Sequence, residues 1–340
     1  MIIRSKAPLR IGLAGGGTDV SPYSDIYGGS VLNVTINRFV YCTIETCENQ
    51  IILRSIDKGE EQEFSSTNFL EPDNLLRLHK GVYNRIVKDY NNGMPLPHKL
   101  ITYSDVPPGS GLGSSSTLVV AMVQAYSEWL ELSLGEYDIG FLSYIIERED
   151  LNYSGGKQDQ YAATFGGFNF MEFSNGQVIV NPLRLKNAII NELEYSMLLY
   201  FSGISRESEE IINDQIKNVN CGKEISIKAM HELKNNSLIM KEALLQGDLK
   251  IFTKCLGKTW NDKKKMANSI TNSGIDKIME EAINNGAKSG KVSGAGGGGF
   301  IIFIVDPLMK MKLINRLNSL GGRVINFHFT DLGSVAWRIK

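Results

Sequence analysis

The sequence is poor in the residues that build disulfide frameworks and zinc sites. Only four cysteines and four histidines occur among its 340 residues. No two cysteines stand at the C-x-x-C spacing that is typical of metal-binding and redox motifs. The cysteines are Cys42, Cys47, Cys221 and Cys255. We therefore expect neither a disulfide-stabilised fold nor a zinc centre.

Excess charge of one sign and long apolar runs are also absent. Lysine and arginine together number 36, aspartate and glutamate 37, so the net charge is −1. That balance argues against a broad electrostatic surface for nucleic acid or acidic lipid. The densest apolar run, Phe300–Val305, has the length of a strand, whereas a membrane helix needs about 18 residues. The sequence begins without the apolar segment of a secretion signal. We expect a cytoplasmic protein that binds neither nucleic acid nor membranes.

Glycine, in contrast, is abundant and clustered. The chain has 34 glycines, and sixteen of them fall in the short windows 12–17, 109–113, 155–167 and 294–299. Glycine is costly inside helices and strands, so such runs mark backbone with unusual dihedral angles or a close approach to a neighbour. One such cluster is usually an ordinary loop. Four of them beside strongly patterned elements favour a backbone that faces a ligand.

The hydrophobic pattern predicts an α+β protein of two domains, 1–180 and 181–340. The first part is rich in predicted strands and contains a long, mostly apolar helix at 114–132, which we expect to be buried. The region 205–283 is mainly helical and rich in lysine, glutamate and asparagine. Within it, the lysine run at 263–265 predicts a solvent-exposed helix face.

The second glycine window indicates phosphate binding. The segment 107–116, Pro-Pro-Gly-Ser-Gly-Leu-Gly-Ser-Ser-Ser, follows a predicted strand and opens a predicted helix. Free backbone N–H groups and the positive end of a helix dipole suit a phosphate there. The segment lacks the Gly-Lys-[Ser/Thr] ending of a Walker A motif, and Ser114 could instead act as a plain helix N-cap. The candidate phosphate ligands are Pro108, Gly109, Ser110, Gly111, Leu112, Gly113, Ser114 and Ser115.

Three segments together resemble the motifs of the galactokinase, homoserine kinase, mevalonate kinase and phosphomevalonate kinase (GHMP) superfamily. They are 6–20 (KAPLRIGLAGGGTDV), 107–116 and 291–300 (KVSGAGGGGF). Where galactokinases have Gly-Glu-His-Thr-Asp, this chain has Gly-Gly-Gly-Thr-Asp. That departure resembles the sugar 1-kinase branch with heptose 7-phosphate kinases and fucokinase domains. Within this branch, the segments 155–163, 165–169 and 202–206 look most similar to the heptose 7-phosphate kinases.

This resemblance implies a two-domain α+β kinase with a ferredoxin-like C-terminal half and an active site between the domains. It further implies transfer of a phosphoryl group from ATP to the anomeric hydroxyl of D-glycero-D-manno-heptose 7-phosphate, a step toward nucleotide-activated heptose for surface glycans such as lipopolysaccharide or capsule. The alternatives are a fucokinase-like enzyme, another small-molecule kinase of the superfamily, or a non-catalytic regulator that binds sugar and ATP. The oligomeric state stays open.

The resemblance also implies roles for individual residues. Asp159 aligns with the family's catalytic aspartate, which can take the proton of the acceptor hydroxyl. Arg10 falls where relatives have a cation that favours the charged aspartate and stabilises the moving phosphoryl group. Ser115 and Glu147 align with ligands of Mg²⁺, a cation that prefers oxygen donors. Glu149 and Asp150 are rivals to Glu147, while Asp159 could instead cap a helix and Arg10 could form a salt bridge at a strand edge.

The remaining candidates are implied substrate ligands. In the first motif Asp19 is expected to hold sugar hydroxyls, although a structural role in the turn is the alternative. The basic residues Lys157 and Arg206 could hold a sugar phosphate dianion, with ordinary surface charge as the alternative. The full set of substrate-binding candidates is Gly16, Gly17, Thr18, Asp19, Lys157, Arg206, Gly296 and Gly297.

Overall fold

The structure, a computed structural model, describes residues 1–204 and 208–339. The strands are β1 (Ile2–Ala14), β2 (Gly29–Thr46), β3 (Gln50–Ser55), β4 (Glu60–Ser65), β5 (His98–Ser104), β6 (Phe168–Ser174), β7 (Gln177–Pro182), β8 (Met197–Phe201), β9 (Ala287–Val292), β10 (Phe300–Val305), β11 (Arg323–Ile325) and β12 (Val335–Ile339).

The helices are α1 (Tyr23–Tyr27), α2 (Arg77–Tyr90), α3 (Ser114–Trp129), α4 (Glu136–Ile145), α5 (Gln158–Phe165), α6 (Asn187–Ser196), α7 (Ser208–Asn220), α8 (Glu224–Gln246), α9 (Leu249–Lys263), α10 (Ser273–Asn284) and α11 (Lys310–Asn318). A π-helical turn, Ile146–Asp150, continues α4, and short 3₁₀ turns lie at Asn268–Ile270 and Pro307–Met309. None of the helices in these described ranges has the length and apolar content that crossing a membrane requires.

The first sheet is built around the long strand β2. Its strand order is β12-β1-β2-β5-β3-β4, and β6 and β7 extend it from the other half of β2. Strand β1 runs antiparallel to β2 with register shifts at Pro8/Leu9 and Gly12/Ala14. Such irregularities bend a strand and re-aim its side chains. The segment of β1 between the two shifts holds Arg10.

Helix α3 packs against this sheet on one side and against α2, α4 and α5 on the others, so most of its surface is covered. Residues 119–123 are fully buried, and the hydroxyl of Ser5 on β1 donates to the carbonyl of Ala121 at 2.5 Å. This confirms the buried helix that the apolar composition of 114–132 predicts. The helix N-terminus is thereby held against the end of β1, next to Arg10.

The second sheet has the order β11-β8-β10-β9 with antiparallel neighbours. Helices α7 to α10 connect β8 to β9, a tight loop connects β9 to β10, and α11 connects β10 to β11. This β-α-β-β-α-β succession is the ferredoxin-like arrangement, as expected for the C-terminal half. The loop between β9 and β10, 293–299, is the third glycine motif.

The predicted division at residue 180 stays a prediction. Strands β1 to β7 of the first sheet end at Pro182, but β12 returns to that sheet and pairs with β1 from Lys6↔Val335 to Ile2↔Ile339. Any division of the chain has to place this last strand with the N-terminal half.

Candidate active site

A cleft of about 480 Å³ lies where the three glycine loops meet. Its lining includes Gly16 and Asp19 from the first loop, Gly113 from the second and Gly294 from the third. The first two loops extend from the first sheet, and the third from the ferredoxin-like half. The structure therefore brings together three segments that are up to about 280 residues apart in the sequence.

Arg10 and Asp159 form a bidentate ion pair in this cleft. Arg10 Nε donates to Asp159 Oδ1 at 2.6 Å, and Nη2 donates to Oδ2 at 2.8 Å. The remaining guanidinium nitrogen, Nη1, donates to the carbonyl oxygen of Gly111 at 2.8 Å. Parallel charge-assisted bonds of this kind hold both groups in one orientation. The predicted closeness of these residues is present. The same guanidinium also holds the backbone of the segment 107–116, which we call the phosphate loop after its predicted role.

The phosphate loop lies so close to Ser293 and to Asp159 that it requires glycine at two positions. Gly111 and Gly113 have φ of +81° and +78°. A Cβ atom on Gly111 would lie 2.7 Å from the carbonyl oxygen of Ser293, and one on Gly113 would lie 3.1 Å from Cγ of Asp159. The loop leads into α3, whose first-turn N–H groups lack partners within the helix. These groups and the helix dipole suit an anion at this end of the cleft.

The eight predicted phosphate ligands divide into two groups. Six of them line the cleft: Pro108, Gly109, Gly111, Gly113, Ser114 and Ser115. Ser110 and Leu112 are fully buried behind the loop. Leu112 belongs to the hydrophobic core, and the carbonyl of Ser110 accepts a hydrogen bond from Phe300 N at 2.9 Å. The side chain of Leu112 and the backbone of Ser110 therefore fix the loop on the side away from the cleft.

Glu147 lines the cleft on the π-helical turn. Its side chain is 1% exposed, and its Oε2 accepts a hydrogen bond from Gln160 Nε2 at 2.5 Å. The same amide donates to the hydroxyl of Ser116 at 3.2 Å, which links the carboxylate to the start of α3. Its rivals lie elsewhere: Glu149 is exposed, and Asp150 pairs with Arg85.

Asp19 lies buried at the other side of the cleft, with 1% of its surface exposed. Its carboxylate accepts hydrogen bonds from the backbone of Gly17 at 3.0 Å and from the backbone and side-chain amide of Gln158 at 3.1 and 3.2 Å. The neighbouring Thr18 is fully buried and donates its hydroxyl to the carbonyls of Gly15 and Ser30. Gly16 and Gly17 line the cleft with Asp19, whereas Thr18 closes the turn beneath them.

Three predicted substrate ligands, Lys157, Gly296 and Gly297, lie apart from the cleft lining. The ammonium of Lys157 pairs with the carboxylate of Asp25 at 3.1 Å, a contact that lowers the pKa of Asp25. Gly296 and Gly297 pack against the turn Asn268–Ile270, where Gly297 N donates to the carbonyl of Ile270 at 2.8 Å. Arg206 lies outside the described residues.

The prediction for the 263–265 lysine run is wrong at its first residue. Lys263 is 3% exposed and lines the cleft, while Lys265 is exposed and pairs with Asp262. Burial and the charge of Arg10 lower the pKa of Lys263 to about 8. Helix α9 ends at this residue and packs against the second sheet, so its last side chain points inward at the third glycine loop. A run of like residues carries no signal of which member faces inward.

Four further residues of the cleft are absent from the sequence-based predictions. Arg148, Tyr153 and Gln158 line it, as does Gln215 on α7. The segment 148–158 adjoins the predicted catalytic residue, so proximity along the chain could have suggested the first three. Gln215 reaches the cleft only because α7 packs across it.

Comparison with known proteins identifies the family. The model of the GHMP kinases N terminal domain matches residues 77–167, and that of the GHMP kinases C terminal domain matches residues 240–320. A D-glycero-alpha-D-manno-heptose 7-phosphate kinase of Campylobacter jejuni is 51% identical over 99% of this chain and 99% of that protein.

Solved structures agree in fold. A D-glycero-D-manno-heptose 1-phosphate kinase from Bacteroides thetaiotaomicron superimposes with a TM-score of 0.85 at 47% identity, covering 99% of both chains. The mevalonate kinase of Methanococcus jannaschii shares the fold with a TM-score of 0.74 at 23% identity, covering 97% of this chain and 98% of that one. With the three glycine loops assembled around the Arg10–Asp159 pair, these matches show that the chain belongs to the GHMP kinases.

Proposed function

We propose that this protein is an ATP-dependent carbohydrate kinase that phosphorylates the anomeric hydroxyl of D-glycero-D-manno-heptose 7-phosphate, giving the 1,7-bisphosphate and ADP. The observation that carries the proposal is the Arg10–Asp159 pair, which stands between the phosphate loop and Asp19. The sugar follows from the name of the relative that is 51% identical over nearly the whole chain.

In this proposal the residues of the cleft divide the reaction between them. The phosphate loop and the start of α3 hold the ATP phosphates, and Asp19 accepts hydrogen bonds from sugar hydroxyls. Asp159 takes the proton of the anomeric hydroxyl as its oxygen attacks the γ-phosphorus, and the bond from phosphorus to the β,γ-bridging oxygen breaks to release ADP. Arg10 orients the carboxylate and the loop together, since one guanidinium bonds to both.

The side chains around the start of α3 also fit a magnesium ion. Glu147 and Ser115 both line the cleft and both offer oxygen donors, which a hard cation prefers. Only Oε2 of Glu147 accepts a hydrogen bond from a described residue, so Oε1 has a lone pair available. We propose Ser115 and Glu147 as its protein ligands. When bound, the ion would supply charge neutralisation for the phosphates of ATP.

Glu147→Gln should raise the Mg²⁺ concentration required for half-maximal activity, because an amide is a weaker ligand than a carboxylate for this ion. Measuring the rate against Mg²⁺ concentration at saturating ATP and sugar tests this. Glu149→Gln removes the same charge two residues away on the exposed side and serves as the matched control. If Glu149→Gln raises the Mg²⁺ requirement and Glu147→Gln does not, the metal ligand is Glu149 and the proposed role of Glu147 is wrong.

The acceptor is tested with a panel of sugars, because the two relatives differ in name as to which phosphate the sugar carries. We expect kcat/KM, measured by ADP release, to be highest with heptose 7-phosphate. Phosphorus NMR of the product should show a new anomeric phosphate. The panel also holds heptose 1-phosphate, free heptose, fucose, galactose and mevalonate. A preference for heptose 1-phosphate or for an unphosphorylated acceptor contradicts the proposed substrate, and no ADP release with any acceptor contradicts the kinase activity.

The 7-phosphate itself needs cationic partners, and we keep Lys157 and Arg206 as the proposed pair. Removing either charge should raise the KM for heptose 7-phosphate about ten- to a hundredfold, which is the scale of a charge-assisted contact, and leave the KM for ATP unchanged. The loss should fall on KM because the phosphate is remote from the reacting oxygen.

Lys258→Ala, which breaks the Lys258–Glu232 ion pair, is the control for loss of a paired lysine. Free heptose lacks the dianion, so its slow turnover should stay as in the wild type. Equal losses with phosphorylated and free heptose would show that Lys157 and Arg206 support the fold or the chemistry and not the 7-phosphate. An unchanged KM in Lys157→Ala would assign its ammonium to Asp25 alone.

A further inference from the structure

Lys263 is a buried cation without a carboxylate partner among the described residues. Its Nζ donates to the carbonyl oxygen of Gly294, a neutral acceptor, and to no other described group. An ammonium has three N–H donors, so two remain for a ligand. Burying a charge without a counter-charge is strongly unfavourable. A charge kept in this position points to an anionic group that binds there.

The ammonium lies between the first glycine loop, which faces the sugar in the proposed function, and the third glycine loop, which packs on the phosphate loop. A Cβ atom added to Gly16 would be 3.7 Å from Nζ, so the absence of a side chain at Gly16 leaves space directly beside the ammonium. On the other side, Gly294 touches the phosphate loop, where its added Cβ would lie 2.7 Å from the carbonyl oxygen of Gly111. Gly111 is also the residue whose carbonyl Arg10 holds.

The charges around Lys263 place it at the reacting end of the cleft. Arg10 on β1 and Lys291 on β9 repel its ammonium, while Asp19 and Asp159 attract it. The charge of Arg10 is already balanced by its bonds to Asp159, and Lys291 donates to the carbonyl of Gly12 at 2.5 Å. Neither Lys263 nor Lys291 has a direct ion pair among the described residues. Of the two, only Lys263 lines the cleft, so its charge is the one that a ligand in the cleft can balance.

We infer that Lys263 is a further catalytic residue, whose ammonium contacts the phosphoryl group during its transfer. In phosphoryl transfer the charge is spread over three equatorial oxygens, which lie between the nucleotide and the acceptor. Lys263 lines the same cleft as Asp159, beside the first loop and beside the residue that contacts the phosphate loop, Gly294. The 7-phosphate of the sugar, in contrast, is at the opposite end from the anomeric hydroxyl. The inference rests on the proposed phosphoryl transfer but not on which sugar accepts it.

Lys263→Gln removes the charge and keeps an N–H donor for Gly294. Because the contact strengthens in the transition state, we expect kcat to fall about ten- to a hundredfold, with the KM values for ATP and sugar changed much less. Lys264→Gln is the matched control: its ammonium lies over the ring of Trp260, outside the cleft lining. Unchanged kcat in a folded Lys263→Gln protein overturns the inference, as does a loss confined to the KM for the sugar.

The pH profile separates a catalytic charge from a structural one. The pKa of Lys263 is lowered to about 8, so the free enzyme loses this positive charge as the pH rises through that value. The wild-type kcat/KM for ATP should therefore fall above about pH 8, and Lys263→Gln should lack this fall. A fall that persists unchanged in Lys263→Gln belongs to another group and contradicts the inference.

A structure of the wild-type protein with ADP, aluminium fluoride and heptose 7-phosphate tests the contact without any variant. Aluminium fluoride imitates the planar phosphoryl group, and Lys263 Nζ should lie about 3 Å from one of its fluorides. An ammonium that still contacts only Gly294 overturns the inference.

Failure of the proposed function and failure of this inference give different results. If the wild-type protein releases no ADP with any acceptor, the proposed function fails. If the wild-type protein is active and Lys263→Gln is equally active, only the role of Lys263 fails.

Discussion

Asp159→Asn is expected to lower kcat by at least about a hundredfold while leaving ATP binding nearly intact. Asparagine keeps the size of the side chain and one carbonyl oxygen, but it cannot accept the proton of the acceptor hydroxyl. A positioned general base contributes about 10²- to 10⁴-fold. The substitution also breaks one of the two bonds from Arg10, so the remaining oxygen is held less firmly. Single-turnover kinetics and ATP titration measure the two effects separately.

Asp150→Asn is the control for loss of an arginine–carboxylate pair. Asp150 forms a similar bidentate ion pair with Arg85, and both residues lie outside the cleft lining. We expect it to change kcat less than about twofold, since a pair of this exposure contributes little to stability. Near-normal kcat in Asp159→Asn would remove the base from the proposed mechanism, and a loss of ATP binding equal to the loss of kcat would assign Asp159 to the nucleotide.

The second large effect is expected from Gly156→Ala. A Cβ atom at this position would lie 1.8 Å from Oδ2 of Asp19. Asp19 cannot yield easily, because it is buried and its carboxylate accepts three hydrogen bonds from Gly17 and Gln158. A displacement of about 1 Å in a substrate-positioning group can cost about a hundredfold in rate. We therefore expect kcat/KM for the sugar to fall at least about a hundredfold, with the KM for ATP nearly unchanged.

Gly135→Ala provides the matched control for this substitution. Gly135 precedes α4 with extended backbone, and its added Cβ would meet nothing nearer than Asp138 Oδ2 at 3.6 Å. Thermal unfolding of both variants separates loss of sugar binding from loss of fold. If Gly156→Ala binds and phosphorylates the sugar as the wild type does, then Asp19 does not hold the acceptor. Equal losses for ATP and sugar would indicate a collapsed cleft.

Much of the site could be predicted because its components lie in short, contiguous motifs. The glycine windows predict backbone that approaches a neighbour closely, and Gly111 and Gly113 have the positive φ angles and tight contacts that this requires. The apolar run Phe300–Val305 predicts a strand, which the structure contains as β10 with every residue buried. Each of these features depends on residues adjacent in the chain, so the local pattern is sufficient.

The sequence by itself determined the fold class and the closeness of Arg10 to Asp159, because the order of the three glycine motifs and their resemblance to one kinase superfamily imply both. The phosphate-binding role of 107–116 stays a prediction. Only the tertiary structure decided which polar residues face the cleft. Lys263 is buried there while Lys265, of the same run, is exposed. Thr18 is fully buried, whereas the neighbouring Gly16 and Gly17 line the cleft. The physical reason is that burial depends on how distant elements pack: the end of α9 meets the third glycine loop, and β12 returns to β1. Contacts between segments this far apart leave no pattern in either segment alone.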